Sequence, residues 1–130
     1  MCCNLLEHLE ENSRDEMQNI FNKLLEKNGI LLITVPYSYP MHLDPIDTYF
    51  RPSPQDLREL FPDYKILDVS IVVSTTFMDE YLAYSLYTKI RILIRIFTPI
   101  YKYKVWKSLM HRMLWLSRNY KISCIMLKKT

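Results

Sequence analysis

At 130 residues the chain has the usual length of one domain, and its 49% hydrophobic composition excludes an intrinsically disordered protein. Its single glycine, Gly29, excludes a glycine-rich loop that cradles phosphates or dinucleotides within this sequence. The net charge of +3 is unevenly distributed, because residues 1–80 hold all 14 acidic side chains and residues 81–130 hold 11 of the 17 basic ones. A wholly basic segment favours an anionic neighbour, which is a phospholipid, a nucleic acid, an acidic partner or the acidic half of the same chain.

The compartment is predicted from the cysteines and from the apolar runs. Cys2, Cys3 and Cys124 form neither an even disulfide framework nor a CxxC metal-binding pair, which indicates reduced thiols inside the cell. The first residues lack the pattern of a signal peptide, and charged residues interrupt every run long enough to span a membrane. We therefore expect a cytoplasmic protein whose contact with a membrane, where it exists, is at the surface.

The first helix is predicted over Ser13–Lys27. Ser13 and Glu16 form a capping-box pattern, and Gly29 is expected to adopt a positive φ at the end of the helix. The apolar stripe of this helix has helical spacing and consists of Met17, Ile20, Phe21, Leu24 and Leu25.

A strand is predicted next, over Ile30–Val35, buried on both faces and ended by Pro36. Helix, glycine and buried strand together indicate an αβ unit and an α/β layered fold.

A long loop over 36–52 is followed by a short helix that begins at Ser53-Pro54 and continues through Leu60. The rest of the chain is predicted as a strand over Tyr64–Ser74, two helices over 78–98 and 101–117 separated by Pro99, and a last strand over 120–127. Leu57, Leu60 and Phe61 of the short helix are expected to face inward.

The two late helices are strongly amphipathic in projection. The first has a narrow polar arc formed by Tyr84, Thr88, Arg91, Arg95 and Thr98. The second has a basic face formed by Lys104, Lys107, Ser108, His111, Arg112 and Arg118, and an apolar face formed by Val105, Trp106, Leu109, Met110, Met113, Leu114 and Leu116. Two explanations are open: the pair packs on the sheet and on itself, or it binds an anionic membrane surface or a protein through 81–118.

Four segments stand in a recognisable order, namely 6–9, 24–36, 42–54 and 56–62. Together they resemble segments of class I S-adenosylmethionine-dependent methyltransferases of the type 11 group. Many of these proteins end their fourth strand with a "vLEHl" segment, matched here by Leu6–Leu9, and continue with "L…GG-llitvP", matched by 24–36. One subfamily has a loop of the form "H-x-DPID-xx-fRP", which the stretch 42–54 resembles, before a short "el..lFP" helix, matched by 56–62.

The resemblance implies an α/β fold with a partial Rossmann-like methyltransferase sheet, equivalent to strands four to seven, and a two-helix insertion before the last strand. It implies a single truncated domain over 1–130, with a core half at 1–74, a basic amphipathic helical insertion at 75–119 and a closing strand at 120–128. The family's glycine motif would precede Met1. We therefore expect an incomplete cofactor site. One hypothesis is that a complementary chain supplies the N-terminal half.

The resemblance also assigns residues around S-adenosyl-L-methionine. Cys3, Asn4 and Leu5 would form the wall beside its methionine part, and Glu7 and His8 would orient the substrate or act as a general base. The alternative is that Glu7 and His8 fix the turn by hydrogen bonds. In quinone-biosynthesis relatives an E-x-x-E-H run binds a divalent cation, but Asn4 replaces the first glutamate here, so no metal site is predicted.

The long loop is expected to cover the substrate pocket with Tyr37, His42, Asp44, Asp47 and Arg51. The alternative reading is that Asp44 and Asp47 form Asx-type turns and that Arg51 pairs with Asp47.

The predicted function is methyl transfer to a small or lipid-linked acceptor, with the chain inactive alone. The alternatives are a non-catalytic remnant and a module that binds a membrane surface or a protein. No nucleic-acid partner is predicted, because aromatic residues for base stacking are not interleaved with basic ones on a sheet or groove.

Overall fold

The structure is a computed structural model that describes residues 1–42, 46–99 and 102–130. Within these ranges it is an α/β fold with one open, mixed sheet of four strands and five α-helices. The strands are β1 (Cys2–Cys3), β2 (Ile30–Ser38), β3 (Tyr64–Val73) and β4 (Lys121–Lys129). The helices are α1 (Glu11–Leu24), α2 (Pro54–Leu60), α3 (Phe77–Ala83), α4 (Leu86–Phe97) and α5 (Tyr103–Met113), with a 3-10 helix at Leu6–His8.

The sheet has the strand order β1-β2-β4-β3, so the last strand in sequence lies between two earlier ones. β1 is parallel to β2, with Cys3 opposite Thr34. β4 is antiparallel to both of its neighbours, β2 and β3. The carboxyl ends of β1 and β2 therefore meet at one edge of the sheet, together with the amino end of β4.

The main core covers one face of β2 and β4. Ile33 and Ile125 are opposite each other in the two strands, and both are fully buried. The same cluster contains Cys2, Leu6, Leu31, Val35, Leu57, Phe61, Tyr64 and Leu127. The prediction that β2 is buried on both faces is wrong, since its alternate residues Leu32 and Thr34 are only half-buried. Side chains from both α1 and α2 pack into the cluster on the first face, which leaves the second less covered.

A second, smaller cluster joins the late helices to the sheet. It consists of buried Phe77, Trp115 and Tyr120, against which Tyr39, Leu109, Met113 and Leu116 pack. Part of the apolar face predicted for α5 therefore packs on the protein, as in the first of the two open explanations, while Val105 and Leu114 of that face are exposed.

The predicted first helix has the wrong boundaries. It begins at Glu11, after an extended Glu10 that makes no side-chain cap, so Ser13 lies inside the first turns and the predicted capping box is absent. Met17 and Phe21 pack on the core as expected, whereas Ile20 and Leu24 are exposed. The 3-10 helix Leu6–His8 ends shortly before α1 begins at Glu11. The chain therefore turns away from β1 earlier than the sequence pattern indicated.

The positive φ after α1 belongs to Asn28, at 68°, and not to Gly29 as predicted. Asparagine tolerates this left-handed conformation better than most residues do. Gly29 is required for a different reason, because a Cβ there would lie 2.9 Å from the backbone oxygen of Glu26. That oxygen accepts a hydrogen bond from the Gly29 N–H at 2.9 Å.

Gly29→Ala should therefore destabilise the protein by about 1–3 kcal/mol, because the turn must open to admit a methyl group. Asn28→Gly is the matched control, and we expect no loss of stability because glycine adopts the left-handed conformation freely. Urea unfolding of the two variants measures both effects. Equal stabilities of Gly29→Ala and the wild type would contradict the close approach of the Glu26 backbone oxygen to position 29.

β2 continues through Pro36 to Ser38, so the predicted end of the strand is also wrong. The register with β4 shifts between Pro36 and Ser38, and such an irregularity accommodates a residue that lacks an N–H. The short helix is confirmed, with Ser53 and Asp56 forming a capping box. β3 and β4 are confirmed within a few residues.

The segment predicted as the first of two late helices is divided into α3 and α4. Ser85 interrupts it with an extended backbone and accepts a hydrogen bond from the Thr88 N–H, which starts the second helix. Trp106 of α5 donates its indole N–H to the Ile96 oxygen of α4 at 3.0 Å. In the described part of the chain, no helix combines the length and the apolar character that crossing a membrane requires.

Candidate functional site

Glu7 and His8 lie in the 3-10 helix that follows the carboxyl end of β1. The backbone oxygen of Glu7 accepts hydrogen bonds from the Thr48 N–H at 2.9 Å and from the Thr48 hydroxyl at 2.8 Å. His8 Nδ1 lies 2.8 Å from the Ile46 carbonyl oxygen. These contacts tie the long loop to the end of β1 and bring two distant segments together.

The Glu7 side chain is buried, with 1% of the residue exposed. Its Oε2 has no hydrogen-bond partner among the described residues. Burial raises the pKa of Glu7, and the neighbouring charges of His8, Arg51 and His42 counteract only part of this effect. A carboxylate held in this way is poised to bind a proton or a cation.

The hydrogen bond from His8 fixes which of its ring nitrogens carries the proton. A carbonyl oxygen can only accept, so Nδ1 is the donor and the neutral ring keeps its lone pair on Nε2. Nε2 lies 3.7 Å from Glu7 Oε1. The ring of His42 meets the ring of His8 edge-on, with 5.2 Å between their centroids.

Asp47 and Arg51 form a buried pair that organises the loop. The guanidinium donates two parallel hydrogen bonds, from Nη1 to Asp47 Oδ1 at 3.1 Å and from Nη2 to Asp47 Oδ2 at 2.5 Å. Asp47 also accepts from the backbone N–H groups of Tyr49 and His42. Burial alone would raise the pKa of Asp47, but these hydrogen bonds and the Arg51 charge outweigh it and lower the pKa.

The structure therefore brings together Glu7, His8, His42, Asp47 and Arg51, which the sequence assigned to two separate sets. The links are continuous: His8 faces His42, His42 Nε2 lies 3.7 Å from Asp47 Oδ2, and Asp47 binds Arg51. The predicted Arg51–Asp47 pair and the turn at Asp47 are confirmed. Asp44 lies outside the described residues.

Three of these side chains form a set that can hold a divalent metal ion. Glu7, His8 and His42 each offer one ligand atom, and the three atoms lie within 4.8 Å of one another. Two imidazoles and one carboxylate are a known ligand set for Zn²⁺ and for non-haem Fe²⁺. The sequence predicted no metal site, because that prediction considered position 4 and could not place His42. Asn4 instead accepts a hydrogen bond from the Thr34 hydroxyl at 3.3 Å.

Cys3, Asn4 and Leu5 continue from β1 along the same edge of the sheet. The Asn4 N–H donates to the Thr34 oxygen at 2.8 Å and prolongs the pairing with β2, and Asn4 has a positive φ of 48°. Cys3 and Leu5 are exposed. These residues form an accessible wall next to the buried Glu7.

A cavity of about 570 Å³ lies at the carboxyl end of β2, and Arg51 is part of its lining. Its lining includes four aromatic and three cationic residues and no carboxylate, namely Tyr37, Ser38, Tyr39, Tyr49, Arg51, Trp115, Ser117, Arg118, Asn119 and Lys121. Such a lining suits a small anionic molecule with a flat or ring-shaped part. A larger cavity, of about 810 Å³ between α2 and β3, is remote from the Glu7 and His8 residues.

The sequence prediction included Tyr37 and Arg51 of this cavity but missed Trp115, Arg118 and Lys121. The position of these residues just before and at the start of β4 could have identified them. Lys121 begins β4, and an antiparallel β4 brings its amino end to the carboxyl end of β2. That signal depends on the strand direction, which the sequence pattern alone does not give.

No protein-family model and no curated protein matches this chain.

Glu7→Gln should raise the free energy of unfolding at pH 8, because the amide removes the charge that burial penalises. Because the folded state raises the pKa of Glu7, the wild type loses stability as the pH rises from about 4.3, the value of an unfolded glutamate, through the raised value. Below pH 4 the two proteins should be equally stable. Urea unfolding at both pH values measures the difference.

The matched control is Glu16→Gln, which replaces an exposed carboxylate on α1. It should have a small effect that does not follow the pH dependence of Glu7→Gln. A gain at pH 8 that persists unchanged at pH 4 would show that burial of the Glu7 charge is not its cause.

Proposed function

We propose that this chain is the acceptor-side part of an S-adenosylmethionine-dependent methyltransferase of class I. The observation that carries the proposal is the sheet: the order β1-β2-β4-β3, with a reversed last strand between β2 and β3, is the arrangement expected of strands four to seven in that fold. The "LEHL" segment follows β1, and the "ILLITVP" segment forms β2. Motif order and strand topology thus support the same equivalence.

The chain provides one wall for the cofactor. In the proposed enzyme the methionine part of S-adenosylmethionine lies beside Cys3, Asn4 and Leu5, at the accessible end of β1. The bound cofactor supplies an electrophilic sulfonium methyl group. These 130 residues contain no glycine-rich loop, so in the proposed enzyme that loop comes from polypeptide outside this sequence.

The residues of this chain would mainly orient the acceptor and accept its proton. Transfer of a methyl group by in-line displacement depends chiefly on proximity and orientation. The Nδ1 of His8 is engaged by Ile46, so Nε2 is the atom that can take a proton from the acceptor. Glu7 Oε1, at 3.7 Å from Nε2, would then stabilise the imidazolium ion. The cavity with Arg118 and Lys121 would bind a small or lipid-linked acceptor that carries negative charge.

Binding of S-adenosylhomocysteine, with adenosine for comparison, tests the proposal by calorimetry. A single wall for the methionine part should give a dissociation constant in the millimolar range, about −4 kcal/mol, and at least tenfold weaker binding of adenosine. Leu5→Trp should abolish binding, because the larger side chain fills the space that the ligand occupies beside the wall. Leu24→Trp, at an exposed position of α1, should leave binding unchanged. Equal affinities for the two ligands would contradict the proposal.

A second candidate function is favoured by a separate observation. The outer side of α4 is apolar and exposed, which supports the alternative of a module that binds a membrane surface or a protein.

A further inference from the structure

α4 presents its apolar side to the outside of the protein. Six large apolar residues lie on this outer face, and each is between 47% and 81% exposed: Leu86, Tyr87, Ile90, Leu93, Ile94 and Phe97. At 100° per residue they occupy a continuous arc of about 120°. Clusters of exposed apolar side chains of this kind on one helix mark a surface that binds something else.

The inner side of α4 is mixed in character and carries two of its polar residues, Thr88 and Arg95. Thr88, Ile92 and Arg95 are half-buried and line a small cavity of about 220 Å³ against Ser108 and Arg112 of α5. This placement disagrees with the first of the two open explanations, in which the apolar side of this helix packs on the sheet or on its neighbour. Its orientation is supported by the hydrogen bonds that join α4 to Leu82 and to α5.

The charged side chains of α4 and α5 are all basic. Arg91, Lys104 and Lys107 are exposed and form no salt bridge within the described residues. Arg112, in contrast, is paired with Glu80 at 2.6 Å. Residues 81–130 contain no carboxylate, so nothing in this segment repels an anionic surface.

We propose that α4 and α5 bind the headgroup region of an anionic phospholipid membrane. α4 lies in the plane of the surface, with its outer face in the acyl boundary and with the cations at the level of the phosphates. A membrane fits better than a protein partner, because Tyr87 is the one residue of the outer face with a polar side-chain atom for the directed hydrogen bonds that protein interfaces contain, and because the charged side chains of both helices are basic. The inference does not depend on methyl transfer.

α5 offers room for part of a lipid at its own exposed end. Lys104 and Lys107 line a mainly apolar cavity of about 710 Å³, together with Met41, Tyr49 and Tyr103. An apolar cavity with two lysines in its lining matches the division of a phospholipid into acyl chains and phosphate.

Sedimentation with vesicles tests the proposal. The protein should pellet with vesicles of phosphatidylglycerol and phosphatidylcholine and remain in the supernatant with phosphatidylcholine alone. Raising NaCl from about 0.1 M to about 1 M, which shortens the Debye length from about 10 Å to about 3 Å, should lower binding at least tenfold. Trp106, which is half-buried in α5, should report the transfer to lipid by a blue shift of its fluorescence.

Substitutions on α4 and on a matched surface identify the contact. The double variant Ile94→Ser/Phe97→Ser should lower vesicle binding by at least tenfold, because it removes two side chains from the outer face. The control Ile71→Ser/Val73→Ser removes two apolar side chains that are 44% and 57% exposed from β3 and should bind as the wild type does. Far-UV circular dichroism establishes that both variants are folded.

Three results would overturn the proposal, and a fourth would contradict the part that it gives to α5. The first is absence of pelleting with the anionic vesicles, and the second is equal loss of binding in the α4 and β3 variants. The third is a protein that self-associates without lipid and becomes monomeric in Ile94→Ser/Phe97→Ser, which would assign the outer face to a second copy of the chain. If Lys104→Gln/Lys107→Gln binds the anionic vesicles as the wild type does, α5 does not contact the membrane, which contradicts its part in the proposal.

Discussion

Replacing Arg51 with methionine should lower the free energy of unfolding by about 3–5 kcal/mol at pH 7. The substitution leaves the fully buried carboxylate of Asp47 without its bidentate partner. Removal of one member of a buried pair is costly because the remaining charge keeps its desolvation penalty. Urea unfolding measures the loss, and Arg58→Met, at an exposed position of α2, is the control that should have little effect.

The pH dependence of Arg51→Met distinguishes charge burial from lost packing. In the wild type the pKa of Asp47 is lowered, so the pair contributes fully above the unfolded value of about 3.9 and the contribution is lost as the pH falls through the lower folded value. In the variant Asp47 can protonate more readily. The difference between the free energies of unfolding of the variant and the wild type should therefore shrink as the pH falls to 4. The double variant Asp47→Asn/Arg51→Met should lose less than the two single losses combined. A deficit that is independent of pH would contradict the role given to the pair.

Ile33→Ala should also lower the free energy of unfolding strongly, by about 2–5 kcal/mol. Ile33 is fully buried and opposite Ile125, so the truncation leaves a cavity between the two central strands, where the helices pack on the sheet. Ile71→Ala on β3 is the matched control, because Ile71 is 44% exposed and should lose far less. Equal losses from the two substitutions, measured by urea unfolding, would contradict the position of the core.

Local patterns were sufficient for those elements whose signals lie within a few residues. The capping box of α2 needs only Ser53 and Asp56, and the β-branched runs of β3 and β4 are continuous in sequence. The start of α1 could not be predicted in this way. It depends on the turn after Leu9, and an isolated Ser13-to-Glu16 pattern resembles a cap whether or not the backbone is extended there.

The candidate site was predictable by residue but not by arrangement. The sequence selected Glu7, His8, His42, Asp47 and Arg51, yet it separated them into a strand-end pair and a loop. Their meeting depends on the path of the loop, which Thr48 holds against the backbone of Glu7. A path set by such long-range hydrogen bonds leaves no periodic signal in the sequence.

The amphipathic character of α4 was likewise evident from the sequence, but its orientation was not. A helical projection gives the angle between polar and apolar residues and does not say which side faces the protein. The break at Ser85 and the packing of Thr88, Ile92 and Arg95 toward α5 set that orientation, and they became evident only in the fold.

Chemical-shift mapping of S-adenosylhomocysteine on the isotope-labelled protein is the most direct test of the proposed methyltransferase function. Millimolar ligand should shift the amide resonances of Cys3, Asn4 and Leu5 most strongly, with smaller shifts at Glu7 and His8. Resonances of α4 and of β3 should remain in place, since both lie outside the proposed cofactor wall. Shifts that are confined to those elements, or no shift at residues 3–5 at saturating ligand, would contradict the proposal.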